Sequence, residues 1–289
     1  MKRVILCADD FAVHESASRG IAQLARLGRI SATSAMVLSP RWPQDVALLR
    51  ELRGQIDIGL HLDWTSEFAV AAGHGLTLKA AMLKALLGGF DMAAARAVIE
   101  RQLDAFEAHW QAPPDYVDGH QHVQQFAGVR EALVAALAKR YGGHDESGSG
   151  SELMQSDGQR VSRPKPYLRV SRAPSGAADL KSWVIAATGA SALEKIAAYA
   201  GITCATALLG IYDFSGGSAR YAALMDGWLA AAPAGSIIMC HPALACESGD
   251  VIGPARTQEF AYLMNDNFPA ALARAGVQLV RGAPVLGLA

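Results

Sequence analysis

Asp9 and Asp10 close the apolar run ILCADDF, His61 ends IDIGLHL, Asp118, His120 and His122 crowd into DYVDGHQHV, and His241 follows SIIMC. An unpaired carboxylate beside a core loses its hydration, so the Asp9–Asp10 pair requires a compensating partner. A metal ion is such a partner. One carboxylate with two histidines leaves coordination positions open for water and substrate, the arrangement of a catalytic rather than a structural ion. Imidazole ligands favour zinc or another transition metal; magnesium, which prefers oxygen, is disfavoured without being excluded.

Strand period sharpens the pattern. If DGHQH is extended, Asp118, His120 and His122 share one face while Gly119 and Gln121 take the other. Adjacent Asp9 and Asp10 would point oppositely inside a strand, so both reach one site only where the strand dissolves into loop. Each residue alone has an ordinary explanation: a solvated turn for Asp-Asp, a satisfied structural histidine for His61, a loop residue for His241 before Pro242. Their joint placement at the ends of apolar runs favours a site. His14, His74, His109 and His144 lack that placement and are read as surface or loop residues. No GxSxG elbow supports a serine nucleophile.

The elements that must carry these residues alternate. Apolar runs at 4–8, 33–38, 56–62, 115–123, 166–170, 203–211, 236–240 and 277–280 are separated by stretches of helical period, at about 16–28, 43–52, 92–110, 129–142, 178–200, 218–231 and 255–274. Residues 63–90 read as a loop with a short helix over KAAMLKALL, and the polar stretch 143–164 as a mobile loop inserted in the pattern. About seven or eight β-α units predict an α/β fold, a (β/α) barrel of parallel strands forming a single domain over 1–289. In such barrels functional groups gather at the C-terminal ends of the strands, which is where the unusual polar residues stand. No dinucleotide fingerprint or P-loop follows the first run.

Composition narrows the class. The chain has 289 residues, is 51% hydrophobic and carries a formal net charge of -1. It offers no basic stripe for nucleic acid. No apolar run reaches the roughly 18–20 residues of a membrane span, and too few apolar residues follow Met1, Lys2 and Arg3 for a signal peptide. A cytoplasmic protein with neither nucleic acid nor membrane as partner is expected, with a homodimer admitted. Cys7, Cys204, Cys240 and Cys246 show no CxxC spacing and are read as reduced core thiols.

ILCADDF, IGLHLDWT, YVDGHQHV and MCHPA, in that order and spacing, resemble the YdjC family of carbohydrate deacetylases. The resemblance covers most of the chain. It implies a barrel related to that of the polysaccharide deacetylases and metal-dependent removal of an N-acetyl group from an amino sugar or short N-acetylated oligosaccharide. It also implies roles: Asp10, His61 and His120 as ligands of one divalent ion, Asp9 as general base and His241 as general acid. His122, a second choice for the acid, stands with Asp118, Arg169 and Trp64 on the substrate side, an indole face suiting the apolar face of a pyranose. The chain departs from the family where Ala12 and His14 follow ADDF and where Gln121 and Gln124 replace histidines, differences that bear on which sugar is bound. Two other readings are a metal-dependent hydrolase of another amide or ester, and a sugar-binding barrel that has lost catalysis.

Overall fold

The first apolar run becomes the central strand β1, Lys2–Phe11. Its alternation sorts two cores: Val4, Leu6 and Ala8 pack outward against helices, whereas Ile5 and Cys7 face the inside of a curled sheet. The computed structural model describes residues 1–142, 165–174 and 185–288, with the backbone at 153–154 and 160–161.

After β1 come α1 (Glu15–Arg26), β2 (Ala32–Ala35), the single turn α2 (Trp42–Asp45) running into a 3-10 segment (Val46–Leu52), and β3 (Asp57–Leu62). Next are α3 (Glu67–Ala71), α4 (Leu78–Leu86), α5 (Met92–Trp110), β4 (Tyr116–Gly119), a second 3-10 segment (His120–Gln125) and α6 (Val129–Tyr141). A short antiparallel pair, β5 (Leu153–Met154) and β6 (Arg160–Val161), precedes β7 (Tyr167–Leu168), α7 (Ala190–Tyr199) and β8 (Leu208–Leu209). The chain continues with α8 (Ser218–Ala231), β9 (Ile237–Cys240), α9 (Gly253–Met264), α10 (Asn267–Ala275), β10 (Val277–Leu279) and α11 (Gly282–Val285).

The main sheet has the order β7-β4-β3-β2-β1-β9-β8, all parallel, with β10 paired to the start of β1. It curls until its edges meet. Leu168 N–H donates to the Thr203 carbonyl at 2.9 Å and Leu208 N–H to the Arg172 carbonyl at 2.7 Å, tying β7 to β8 without a regular ladder. The inner core holds Ile5, Cys7, Ala32, Tyr116, Tyr167, Leu208, Ile237 and Met239. Each expected apolar run overlaps one of these parallel strands, so the barrel class read from alternation holds.

Gly59 in β3 shows how tightly the interior is filled. A Cβ there would stand 2.5 Å from Cζ of Tyr116 on the neighbouring strand, whose ring stacks on Tyr167 with centroids 5.1 Å apart. Gly59→Ala is expected to cost about 1–3 kcal/mol by overpacking. Thermal unfolding would measure this, and an unchanged midpoint would show that the ring yields freely.

Several elements differ from expectation. DGHQH is not extended: β4 stops at Gly119, and Gln121 and His122 adopt left-handed φ of 53° and 63°. The stretch 255–274 breaks into α9 and α10. Pro269 lacks an N–H and its ring would clash with the carbonyl of Asn265 in a continuous helix, so α9 ends before Asn265 and α10 starts afresh with Pro269 in its first turn. The loop expected at 143–164 lies outside the described residues apart from the β5–β6 backbone, as do 178–184 of the helix expected near 178–200. All four cysteines are free, but only Cys7 and Cys240 are buried, and Cys246 is exposed.

Candidate metal-binding active site

Strand parity brings the unusual residues inward as a layer above the inner core. Asp9 follows Cys7 by two positions, Ser34 follows Ala32, His61 follows Gly59, Asp118 follows Tyr116, Arg169 follows Tyr167 and His241 follows Met239. All are buried.

Asp10 breaks the parity. The ladder with β2 slips between Ala8 and Phe11, and Asp10 takes φ of 65°, a left-handed conformation that costs about 1–3 kcal/mol for a residue with a Cβ. Strand pairing thus continues to Phe11, and a bulge rather than a loop brings both carboxylates to the site.

Asp10 Oδ1 lies 3.4 Å from His61 Nε2 and 3.2 Å from His120 Nδ1. Ligands about 2.0–2.1 Å from one tetrahedral zinc ion stand about 3.3–3.4 Å apart, and the three ligand atoms here lie within 4.8 Å of one another. The donor set therefore fits a single divalent ion. A hydrogen bond orients His61 as a ligand. Asp118 Oδ1, an acceptor 2.6 Å from Nδ1, keeps a proton on Nδ1 and leaves Nε2, which faces Asp10, as the atom that takes either a second proton or an ion. Ser34 Oγ stands 3.1 Å from the same Nδ1 and donates to Asp9 Oδ1 at 3.3 Å.

Arg169 Nη1 is 2.6 Å from Asp9 Oδ1 and 2.9 Å from Asp118 Oδ2. Its cation fills the space among Cys7, Asp9 and Asp118, a group that would otherwise pass for a second metal site. Burial by itself raises the Asp9 carboxyl, but Arg169 and His61 outweigh it and hold the group below the usual carboxylate range. Asp10 is likewise raised by burial yet held well below that range by Arg256, His120 and His61. Burial lowers His61, but Asp118, Asp10 and Asp9 outweigh it and lift the ring to about 10. These carboxylates favour positive charge at this spot.

Other expected residues fall differently. His241 Nε2 is 3.9 Å from Asp9 Oδ2, and burial, partly offset by Asp9 and Asp10, pushes it down to about 4. His122, turned off the β4 line, faces Ser171 Oγ at 3.0 Å, and burial with Arg169 pushes it to about 3. It is not on one face with Asp118 and His120, because the chain leaves the strand at Gly119. Asp118 is fully buried and engaged by His61 and Arg169, so it has no edge free for a sugar. Arg169 does line the cavity, with its Nη1 engaged by Asp9 and Asp118. Trp64 is 3% exposed and packs edge-on to His74 and Phe90 instead of lining the cavity. Phe68, Tyr212 and Phe214 supply aromatic walls instead.

Residues missed from sequence hold the site together. Arg256, 3% exposed, donates from Nη2 to Asp10 Oδ2 at 2.7 Å and from Nε to Asp250 Oδ2 at 2.8 Å. His14, read as a surface or loop residue, lies in the loop before α1 and caps that helix by accepting from Ala17 N–H at 3.1 Å, and its Nε2 stands 3.2 Å from Asp250. Glu259, fully buried, accepts from the His241 backbone N–H and from Tyr212 Oη at 2.6 Å; burial pushes its carboxyl up to about 7. The signal that could have found Ser34 was its parity with Ala32; Arg256 and Glu259 sit on a helix of ordinary composition and carried none.

A cavity of about 720 Å³ opens over this layer, with Asp9, Asp10, His61, His120 and His241 on its floor. A sugar-sized ligand fits a cleft of this size.

Known proteins bear on the assignment. Chitooligosaccharide deacetylases of Enterobacter sp. (strain 638) and Yersinia pestis (strain Pestoides F) are 29% and 30% identical to the chain over 146 and 147 residues, covering 49% and 48% of it. These matches span 57% and 56% of the relatives' own length. The crystal structure of a protein provisionally assigned to cellobiose-phosphate cleavage, from Enterococcus faecalis V583, superposes with a TM-score of 0.68 over 99% of both chains at 17% identity. That likeness is one of fold. The sequence profile described as YdjC-like protein matches residues 3–274, nearly the whole barrel with every site strand in it, and the chain belongs to the YdjC-like family.

Proposed function

We propose that the protein is a metal-dependent deacetylase that hydrolyses the N-acetyl group of an amino sugar or short N-acetylated oligosaccharide. The observation that carries the reading is the convergence of Asp10, His61 and His120 on one point of the cavity floor with a second carboxylate, Asp9, beside them. A divalent ion held by those three would polarise the acetamide carbonyl and acidify a water from pKa 15.7 toward roughly 7. Zinc is favoured by the two imidazoles, with magnesium admitted.

The protein's own groups carry the proton transfers. Asp9, ionised and held by Arg169, accepts the proton of the attacking water as the carbon–oxygen bond forms. His241, its ring neutral at neutral pH and its Nε2 3.9 Å from Asp9 Oδ2, relays the proton that Asp9 has taken from the water to the amine nitrogen as the carbon–nitrogen bond breaks. Each transfer is worth about 10²–10⁴-fold in rate. The aromatic walls at Tyr212 and Phe214 suit the apolar face of a pyranose, the role first expected of Trp64.

Purified protein is expected to need a divalent ion and to release acetate from N-acetylglucosamine oligosaccharides. Metal-replete protein that releases none across such substrates would overturn the reading. Asp118→Asn is expected to weaken zinc binding about 10- to 100-fold by loosening His61. Competition with a chelator measures this, and unaltered affinity would remove Asp118 from the site's support.

A further inference from the structure

We propose that α4 and the turn after it dock on an anionic lipid surface. The helix is packed inside out. Among its residues only Ala81 is buried, with Leu78 and Ala85 half-buried, so mainly small side chains face the protein. The large apolar ones face solvent: Leu83 is 57% exposed, Leu86 82% and Leu87 74%. Val70, at the end of α3, adds to the exposed apolar residues of this stretch. Contiguous exposed apolar residues on a soluble protein mark an interaction site.

Charge selects the partner. Between Glu67 and Asp91 the only charged residues are Lys79 and Lys84, both exposed and both on α4. Leucines on one side with lysines among them is the composition of a helix that lies in the headgroup region of a membrane. A second copy of the chain fits less well: a two-fold contact sets a patch against itself and would bring these lysines together without a carboxylate between them. Among the described residues no helix is long and apolar enough to cross a membrane, so the contact is peripheral. The absence of a spanning run led to the expectation of no membrane partner, and a surface contact of this kind needs no such run. Leu78 and Met82 also line the cavity, so docking would place its mouth beside the lipid.

The test is co-sedimentation of the full chain with vesicles of phosphatidylcholine containing about 30% phosphatidylglycerol, and with vesicles of phosphatidylcholine alone. This readout needs no turnover, so it stands or falls apart from the deacetylase reading. Binding to the anionic vesicles that weakens with salt is expected. Leu83→Ser/Leu86→Ser/Leu87→Ser should lower the partition coefficient at least about tenfold, with circular dichroism unchanged. Lys79→Gln/Lys84→Gln should lower it about fivefold per lysine. No binding by the unaltered protein, equal binding to neutral vesicles, or equal binding by the leucine variant would each overturn the proposal. So would a dimer seen by light scattering that the leucine variant disperses while vesicle binding is absent, since the patch would then belong to a second copy.

Discussion

Asp9→Asn is expected to retain its metal and lose turnover by about 10²- to 10⁴-fold. The substitution keeps the shape of the side chain and removes the charge that, in the proposed reaction, accepts the proton of the water. The three candidate ligands are untouched, because Asp9 faces Arg169 and Ser34 whereas Asp10 faces His61 and His120. Metal content by elemental analysis and acetate release by a coupled assay separate the two jobs. His61→Ala and His120→Ala supply the contrast, since they should lose metal and activity together. Full activity of the Asn variant with its metal in place would show that another group takes the proton, and the division of labour between Asp9 and Asp10 would fall.

Arg169→Met is expected to be among the most destabilising single substitutions in the barrel. Arg169 is 1% exposed and its Nη1 serves Asp9 and Asp118, both also buried. Taking away one member of such a network leaves charge buried without a partner, at a cost of about 3–5 kcal/mol. For a chain of this size that is a fall in melting temperature on the order of 10 °C. A double-mutant cycle tells the electrostatic cause from lost packing. Adding Asp9→Asn to Arg169→Met should restore part of the stability, because one orphaned carboxylate is gone, and simple additivity of the two losses would refute the account.

The same layer explains why much of the site was legible. Asp9, His61, Asp118 and Arg169 each lie two positions after a residue on the inner face of the barrel, so strand period alone carries them to one floor once the runs are known to be parallel. Conventional signals failed where the backbone leaves the strand. Asp10 joins His61 and His120 as a candidate ligand only through a left-handed residue at a bulge, and the 3-10 turn after Gly119 separates His120 from His122. Trp64 was misplaced for a related reason: its position after β3 puts it near the site in sequence, but packing against Phe90 and His74 withdraws it.

By itself the sequence determined the alternation of apolar runs and helical stretches, the barrel class, and the polar residue types placed at the ends of the runs. These depend on local period and on single residues, which a linear reading can follow. The tertiary structure decided which charges meet: Arg169 with Asp9 and Asp118, Arg256 with Asp10, Asp250 with His14, Glu259 behind His241. Those partners lie far apart in the chain, and nothing in the local pattern around Arg256 or Glu259 marks them. The curl of the sheet sets Arg169, after the edge strand β7, against Asp9 on the central strand, and the pairing of β9 with β1 brings Arg256 and Glu259, on the helix after β9, to Asp10 and to His241.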